Sequence, residues 1–243
     1  MLSEHVHPIG WQREFTRKGN LFDRRACSRR LYPTAKRVLD LALSLFLLIL
    51  MAPLMALIAL AIKLDSPGPV LYVQRRVGLN GRVFNFYKFR SMTNGHDHSV
   101  EHRAFVRAYI NGEQLAPSHD GHGKIIFKPA SNGHQVTRVG RILRRTSLDE
   151  LPQLLNIIKG DMSLVGPRPS IDYEVEMYTD HHRQRLAVLP GLTGWAQING
   201  RSSLTFDEIV ALDLQYIAQR SLRKDLSILL ATFPVILQAD SAG

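Results

Sequence analysis

The sequence VLDLALSLFLLILMAPLMALIALAI, residues 38–62, decides the architecture of this chain. It is apolar apart from Asp40, and residues 41–62 contain no charged side chain. As an α-helix, residues 41–62 would be about 33 Å long, which is enough to cross a hydrocarbon core of about 30 Å. A buried core helix is the alternative, but uninterrupted apolar runs of this length are rare in soluble cores. We therefore expect a membrane helix rather than a core helix or a cleavable signal peptide.

Two features predict that this helix enters and leaves the membrane on the same side. Pro53 lies in its interior and removes one helix hydrogen bond, so we assign it a structural role as the site of a kink. Both flanks are basic, and the positive-inside tendency places both in the cytoplasm. Prolines also occur in spanning helices, which is the alternative. The basic residues are Arg24, Arg25, Arg29, Arg30, Lys36 and Arg37 before the segment, and Lys63, Arg75, Arg76 and Arg82 after it.

The charge balance narrows the classes of partner. In 243 residues, 31 Lys and Arg stand against 21 Asp and Glu, a net charge of +10. Such an excess suits nucleic acid, an anionic membrane surface or a phosphorylated substrate. The composition excludes a disordered or collagen-like chain, and Cys27, the single cysteine, excludes an intrachain disulfide.

The chain is expected to form a mostly helical α+β fold with a re-entrant helix-hairpin, a small antiparallel β-hairpin and interfacial amphipathic helices. Asp65-Ser-Pro-Gly-Pro69 ends the apolar helix, and Asn80-Gly81 predicts the turn of the β-hairpin. The predicted regions are a basic arm at 1–33, flexible or lying on anionic lipid, the re-entrant helix at 34–64, and a cytoplasmic catalytic domain at 65–243. Within that domain, strands are predicted at 70–77 and 83–92, and helices at 139–145, 149–159, 170–189, 204–219 and 226–237.

A polar insertion at about 94–135 interrupts the domain, with a short helix expected near 101–110. It holds five of the ten histidines, and their spacing fits no firm metal-site template. A solvated insertion is the favoured interpretation over a metal site. The five are His96, His98, His102, His119 and His122.

Ser147-Leu-Asp-Glu150 places two carboxylates at the start of a predicted helix. One interpretation is helix capping, by Ser147 with Glu150 or by Asp149. The other is chemistry, because a helix start favours ionised carboxylates and accepts phosphate, so Asp149 is a candidate nucleophile or metal ligand. The sequence motif leaves both interpretations open.

Several basic residues are candidates for binding phosphate. Lys88 and Arg90 lie two apart in a predicted strand, so both should project from one face. Arg168 lies between two prolines, which restrict its backbone and suit an arginine that makes two parallel hydrogen bonds to a phosphate. A solvated arginine in a turn is the alternative. Residues 190–201 end in Arg201 and contain three glycines, so they form either a backbone cradle for a phosphate or a structural loop.

In order along the chain, these blocks closely resemble the bacterial sugar transferase family, the monotopic polyprenyl-phosphate hexose-1-phosphate transferases. The resemblance covers about residues 34–238. The blocks are DSPGP (65–69), YKFRSM (87–92), SLDELPQL (147–154), GDMSLVGPRP (160–169) and GLTGWAQINGR (191–201).

The resemblance implies transfer of a sugar-1-phosphate from a nucleotide diphosphate sugar, expected to be a UDP-sugar, to undecaprenyl phosphate. Such a step begins the synthesis of exopolysaccharide, capsule, O-antigen or glycoconjugates. By the same resemblance Asp149 is the nucleophile and a Mg²⁺ ligand, Glu150 assists, and Arg168 and Arg144 bind phosphate. It also implies a bacterial inner membrane protein with its active site facing the cytoplasm, and the chain looks like a catalytic core without a preceding spanning domain.

A membrane-anchored basic binding protein without catalytic activity is the competing class. It explains the charge and the anchor, but not an acidic pair at a helix start or two Gly/Pro-framed arginines. Nucleic acid is not expected as a partner, because no helix-turn-helix or stacking-aromatic pattern is present. Anionic lipid is an expected partner, and the sequence allows a homodimer.

Overall fold

The computed structural model describes residues 24–93, 99–113, 118–119, 125–126, 136–200 and 203–237. Their fold is a mostly helical α+β arrangement, as predicted, and its first element is the long helix α1, Arg24–Asp65. Residues Leu31–Asp65 are long and apolar enough to cross a membrane by length and composition, and only 11% of their most apolar window is buried. The helix begins before the predicted start at residue 34, so the end of the predicted arm is helical. It ends at Asp65, where DSPGP predicts its end.

Helix α1 stays helical through Pro53. Much of its apolar surface is exposed, including Phe46, Ile49 and Leu57 at 59%, 67% and 65%. Single exposed apolar side chains are ordinary, but a continuous row of them marks an interaction surface. The kinked re-entrant hairpin remains a prediction.

The predicted β-hairpin is confirmed. Strands β1 (Leu71–Val77) and β2 (Val83–Phe89) pair antiparallel, and their connection contains Asn80 with a left-handed φ of 53°. Asparagine tolerates that conformation, which is why Asn-Gly predicts such turns. A third strand, β6 (Ser170–Ile171), pairs with the other edge of β1. It replaces the start of the helix predicted over 170–189.

Residues 172–187 form short helical segments, not one helix, because the backbone is extended at Ile171 and again at Thr179. Thr179 then caps a new helix by accepting from the N–H of His182.

The helices after α1 are α2 (Ser99–Ile110), α3 (Arg138–Arg145), α4 (Gln153–Lys159), α5 (Asp172–Glu176), α6 (Asp180–Arg183), α7 (Trp195–Ile198), α8 (Phe206–Gln219) and α9 (Leu222–Leu237). The remaining strands are β3 (Ser118–His119) with β4 (Ile125–Ile126), antiparallel, and β5 (Ser163–Val165) with β7 (Gly191–Thr193), parallel.

The acidic pair does not cap a helix. Asp149 and Glu150 lie in a 3₁₀ turn, Leu148–Glu150, and neither capping arrangement forms: Ser147 makes no side-chain cap, and α4 begins only after Pro152. Proline lacks the N–H that a continuing helix would need, so the helix start moves beyond it. The capping interpretations are therefore corrected, and the carboxylates are left to other partners.

The main core joins α1 to the sheets and to the C-terminal helices. Phe86 of β2, Ile157 of α4 and Tyr216 of α8 are among its buried members, and Leu43 and Leu47 of α1 pack against them. A second cluster holds α2 against α8 through Val106 and Val210. A third packs Ile58 and Ile62 of α1 on Phe89 and Leu143. Helix α1 therefore contacts the domain along most of its length.

Polar side chains also tie the first part of α1 to the domain. The Arg37 guanidinium donates to the carbonyls of Ile157 and Ile158 at the end of α4, at 2.7 and 3.0 Å. Asp40, buried within the apolar sequence, accepts from the N–H of Leu164 at 3.1 Å. These contacts explain why one charge is tolerated at the start of the apolar segment.

Candidate active site

One cavity of about 700 Å³ connects the acidic pair to helices α1 and α9. One end is highly charged, with cations facing the two carboxylates of Asp149 and Glu150. The other end is apolar, formed by Leu43 and Leu47 of α1 and by Leu229 and Phe233 of α9. The cavity can therefore accommodate a ligand with an anionic head and an apolar tail. The cations lining its charged end are Arg76, Lys88, Arg144, Arg168 and Arg185.

Glu150 is held by two cations. Its Oε1 accepts from Arg168 Nη2 at 3.0 Å and from Lys88 Nζ at 3.2 Å. Burial alone would raise the pKa of Glu150, but the charges and hydrogen bonds of Arg168 and Lys88 outweigh it and hold that pKa well below its usual value. Glu150 is therefore a fixed anion at neutral pH, and it aims both cations at the cavity.

Asp149 is in a different environment from its neighbour. It is 8% exposed, and Lys88 Nζ lies 3.8 Å from its Oδ2. No described residue donates a hydrogen bond to its carboxylate. Burial raises the pKa of Asp149; Lys88 lowers it in part, and the charge of Glu150 raises it further. An ionised carboxylate with weak solvation and unused lone pairs is a good nucleophile and a potential metal ligand.

The elements that hold the cations are the sheet and the Gly/Pro loop. Lys88 projects from β2, and the Asn156 side chain fixes that strand to α4 by bonding the backbone of Asn85 and Tyr87. The Arg76 guanidinium donates to the Pro169 carbonyl at 3.0 Å, and the Arg185 guanidinium donates to the Arg168 carbonyl at 3.4 Å. The backbone of the Pro-Arg-Pro segment is thus held by its flanking prolines, by the half-buried Arg76 and by the buried Arg185.

Sequence reasoning missed Arg76, Arg185 and Asn156. Arg185 is 6% exposed and forms a buried ion pair with Asp213 at 2.6 Å. Its partner lies 28 positions away on α8, so no local pattern could show the pair. Arg76 counts in the sequence only as part of a basic flank, because it follows Gln74 and Arg75 in a largely exposed strand and no local pattern sets it apart.

The predicted phosphate-binding residues divide into three groups. Lys88, Arg144 and Arg168 line the cavity, as a substrate site requires. Arg90 does not: its buried guanidinium donates to the carbonyls of Ile62, Ser66 and Pro67 at the end of α1. Strand β2 ends at Phe89, so the expected alternation no longer applies to Arg90, and it is a structural clamp. Arg201 lies outside the described residues.

The first part of the glycine-rich loop at 190–201 packs against the Gly/Pro loop at 166–168. The N–H of Gly191 donates to the Pro167 carbonyl at 2.8 Å, and the N–H of Gly166 donates to the Thr193 carbonyl at 2.9 Å. A Cβ on Gly191 would overlap with the backbone of Gly166. Gly166 and Gly191 therefore allow two backbone segments to pack closely, and the N–H groups of these two glycines are not available to cradle a phosphate.

The histidine insertion shows no metal cluster within the described ranges, where no group of three or more His, Cys, Asp or Glu residues could hold an ion. His102 Nδ1 instead forms a hydrogen bond with the hydroxyl of Tyr173. His96, His98 and His122 lie outside the described residues. The helix predicted near 101–110 is confirmed as α2, and its Val106, Tyr109 and Ile110 form one wall of the cavity.

Comparison with known proteins gives a consistent result. Residues 31–239 match the family described as bacterial sugar transferase. Galactosyl transferase CpsE of Streptococcus agalactiae is 39% identical over 212 residues, covering 86% of this chain and 43% of that protein. Undecaprenyl-phosphate glucose phosphotransferase of Komagataeibacter xylinus is 42% identical, covering 81% and 35%. The UDP-glucose:undecaprenyl-phosphate glucose-1-phosphate transferase of Caulobacter vibrioides is also 42% identical, covering 85% and 71%. The chain thus spans less than half the length of the first two relatives.

Proposed function

The chain belongs to the bacterial sugar transferase family, and we propose that it transfers a sugar-1-phosphate from a UDP-sugar to undecaprenyl phosphate, initiating polysaccharide or glycoconjugate synthesis. The names of its relatives support these two substrates. The observation that carries the proposal is the pair of unlike carboxylates: Asp149 has unused lone pairs in the cavity, and beside it Glu150 is neutralised by two cations.

In this proposal the reaction has two displacements at one phosphorus atom. A carboxylate oxygen of Asp149 attacks the phosphorus that carries the sugar, the bond to the bridging oxygen breaks, and UMP leaves. A phosphate oxygen of the lipid then attacks the same phosphorus, and the Asp149 carboxylate is released. Both steps join anions, so the charges of Lys88, Arg144 and Arg168 are needed to stabilise the transition states.

We assign Mg²⁺ to Asp149, with substrate phosphates as the other ligands. Magnesium is often bound by only one or two carboxylates together with phosphates, so a three-residue protein cluster is not required. The unused lone pairs of Asp149 fit this arrangement. A magnesium ion bound there would supply additional neutralisation of the diphosphate charge.

The apolar end of the cavity supports a lipid acceptor. Side chains from α1 and α9 line it, and these helices carry exposed apolar rows, including Leu226, Leu230 and Phe233 of α9 at 48%, 71% and 68%. A lipid whose tail lies among these helices would present its phosphate to the charged end. A water-soluble donor and a lipid acceptor can then use one site in turn.

The contacts of α1 support a re-entrant, monotopic topology with the domain in the cytoplasm of a bacterial cell. Arg37 and Asp40 tie the first part of the helix to the domain, and Arg90 ties its last turn to the same domain. Leu43, Leu47, Met55 and Ile58 pack on the domain between those ends. A helix that spanned the bilayer would hold these two ends on opposite sides. The basic flanks favour anionic lipid at the membrane surface.

The order of events tests the mechanism. With donor alone, the purified protein should release UMP in a burst of at most about one equivalent, because Asp149 retains the phosphosugar. Adding undecaprenyl phosphate should then restore turnover with parallel-line, ping-pong kinetics. Intersecting lines without a burst would instead indicate direct attack by the lipid phosphate. No UMP release from a panel of UDP-sugars would favour a non-catalytic binding protein.

Labelling of single cysteines in intact cells tests the topology. In a Cys27→Ser background, cysteines at Asn20 and Val70 should both be protected from an impermeant reagent. Labelling of one position alone would show a spanning helix. Pro53→Ala should straighten the helix. If one of the two cysteines then reacts with the impermeant reagent, the proline is required for the re-entrant topology.

A further inference from the structure

Ser147 has an unusual backbone for a residue with a side chain. Its φ of 56° and ψ of 17° are left-handed, and among the described residues Asn80 is the other non-glycine residue with a positive φ. The conformation lets the Ser147 carbonyl accept from the N–H of Glu150 at 3.2 Å, which closes the turn that carries Asp149. Glycine adopts this region at lower cost, so the turn itself does not require a side chain.

The Ser147 hydroxyl has no hydrogen-bond partner among the described residues. Ser147 also lines the cavity. Arg144 is in the same situation: it lines the cavity, and no described side chain or carbonyl accepts from its guanidinium. The backbones of the two residues are joined in one turn, because the Ser147 N–H donates to the Arg144 carbonyl at 3.3 Å. A hydroxyl donor and a cation that line the same cavity, and that have no acceptor among the described residues, match an anion rich in acceptor oxygens.

We propose that Ser147 is a further substrate-binding residue, whose Oγ donates a hydrogen bond to a phosphate oxygen of the nucleotide diphosphate sugar. This inference rests on the proposed function and deepens it. The left-handed backbone closes the turn of the acidic pair, and it does so at a residue that lines the cavity. Ser147 thereby adds a neutral donor to the cations that line the same cavity.

The test separates the hydroxyl from the backbone by comparing Ser147→Gly with Ser147→Ala in the full chain in detergent. Glycine removes the hydroxyl and relieves the backbone, whereas alanine removes the hydroxyl and keeps the β-carbon. Both variants should bind UDP about tenfold more weakly by calorimetry, corresponding to about 1.4 kcal/mol. Only Ser147→Gly should also raise Tm, by about 2 °C. The matched control is Asn80→Gly, which relieves the same conformation away from the cavity and should raise Tm with unchanged UDP binding.

The outcomes distinguish this inference from the proposed function. Wild-type affinity for UDP in Ser147→Gly would overturn the inference and leave Ser147 as a turn residue. If the wild-type protein binds UDP but transfers no phosphosugar to undecaprenyl phosphate, the proposed function fails, and the UDP affinities still decide the role of Ser147. Absence of UDP binding by the wild-type protein would overturn the inference as well.

Discussion

Two buried aspartates, Asp149 in the cavity and Asp225 at the start of α9, are bonded in opposite ways. Asp225 is 1% exposed and accepts from Tyr32, Lys36 and Tyr216 at 2.9, 3.0 and 2.7 Å. Asp149 is nearly as buried, but its nearest cation lies at 3.8 Å and no described residue bonds to it. The first carboxylate joins α1, α8 and α9, whereas the second leaves its lone pairs to a ligand.

The difference shows where this chain uses polar groups for stability and where it leaves them for chemistry. A buried carboxylate with three donors is a structural junction, and its removal leaves those donors unpaired. A buried carboxylate without donors costs stability in its ionised form, and such groups cluster at functional sites. Burial alone therefore does not distinguish the two roles, but the count of hydrogen bonds does.

The largest expected effect is the loss of activity in Asp149→Asn. The amide keeps the shape but cannot form the phosphosugar bond, so turnover should fall by several orders of magnitude. Because the raised pKa means that ionised Asp149 is a cost to the fold at neutral pH, Tm should stay the same or rise. UMP release and thermal unfolding measure the two effects. Near-normal turnover would show that Asp149 is not the nucleophile.

The next effect is on stability, and it concerns Asp225→Asn. Loss of the charge opposite Lys36 and of one acceptor should lower the free energy of unfolding by about 2–3 kcal/mol. Activity per folded molecule should remain near wild type at low temperature, because Asp225 does not line the cavity. Asp207→Asn is the control, since the Asp207 side chain is 80% exposed. If Asp225→Asn and Asp207→Asn have equal Tm values, Asp225 is not a structural junction and does not differ from Asp149 in this way.

Arg168→Lys tests whether Arg168, which is paired with Glu150, also binds a phosphate of the nucleotide diphosphate sugar. Lysine can keep the ion pair but cannot make two parallel hydrogen bonds, so kcat/KM should fall about 10- to 100-fold, or about 1.4–2.7 kcal/mol. The exposed Arg183→Lys is the control. If both variants behave alike, Arg168 does not fork onto phosphate and the Pro-Arg-Pro segment is structural.

Much of the fold follows from local patterns in the sequence. The apolar run predicts α1, DSPGP its end, and Asn-Gly the hairpin, because each depends on residues close together in the chain. The helix predicted over 170–189 was wrong, since pairing of Ser170–Ile171 with β1 is a tertiary effect that overrides helical propensity. Both capping interpretations fail for a local reason: Pro152 directly precedes α4, so that helix begins at Gln153, after the acidic pair.

The candidate site could be predicted in part for the same reason. The acidic pair and the Pro-Arg-Pro arginine are recognisable as motifs, and the structure brings both to one cavity. Arg90 could not be separated from Lys88, because only the end of β2 at Phe89 redirects it toward α1. The Arg185–Asp213 pair and the Asn156 bridge join distant segments, so nothing in the local sequence predicts them.

The smallest expected effect is a shift in the acid limb of the pH profile when the neighbour of Asp149 is neutralised. Asp149 must be ionised to attack, and its pKa lies above the usual value, so the burst rate should rise with pH through that raised pKa. In Glu150→Gln the like charge is lost, and Lys88 and Arg168 are free to act on Asp149. Both changes favour the ionised form of Asp149, so the acid limb of the pH profile should move to lower pH at constant magnesium concentration. Glu174→Gln changes the same charge at the cavity wall without a direct effect on Asp149, and its limb should stay in place. An unmoved limb in Glu150→Gln, or one at higher pH, would show that the two carboxylates are not electrostatically coupled as their geometry indicates.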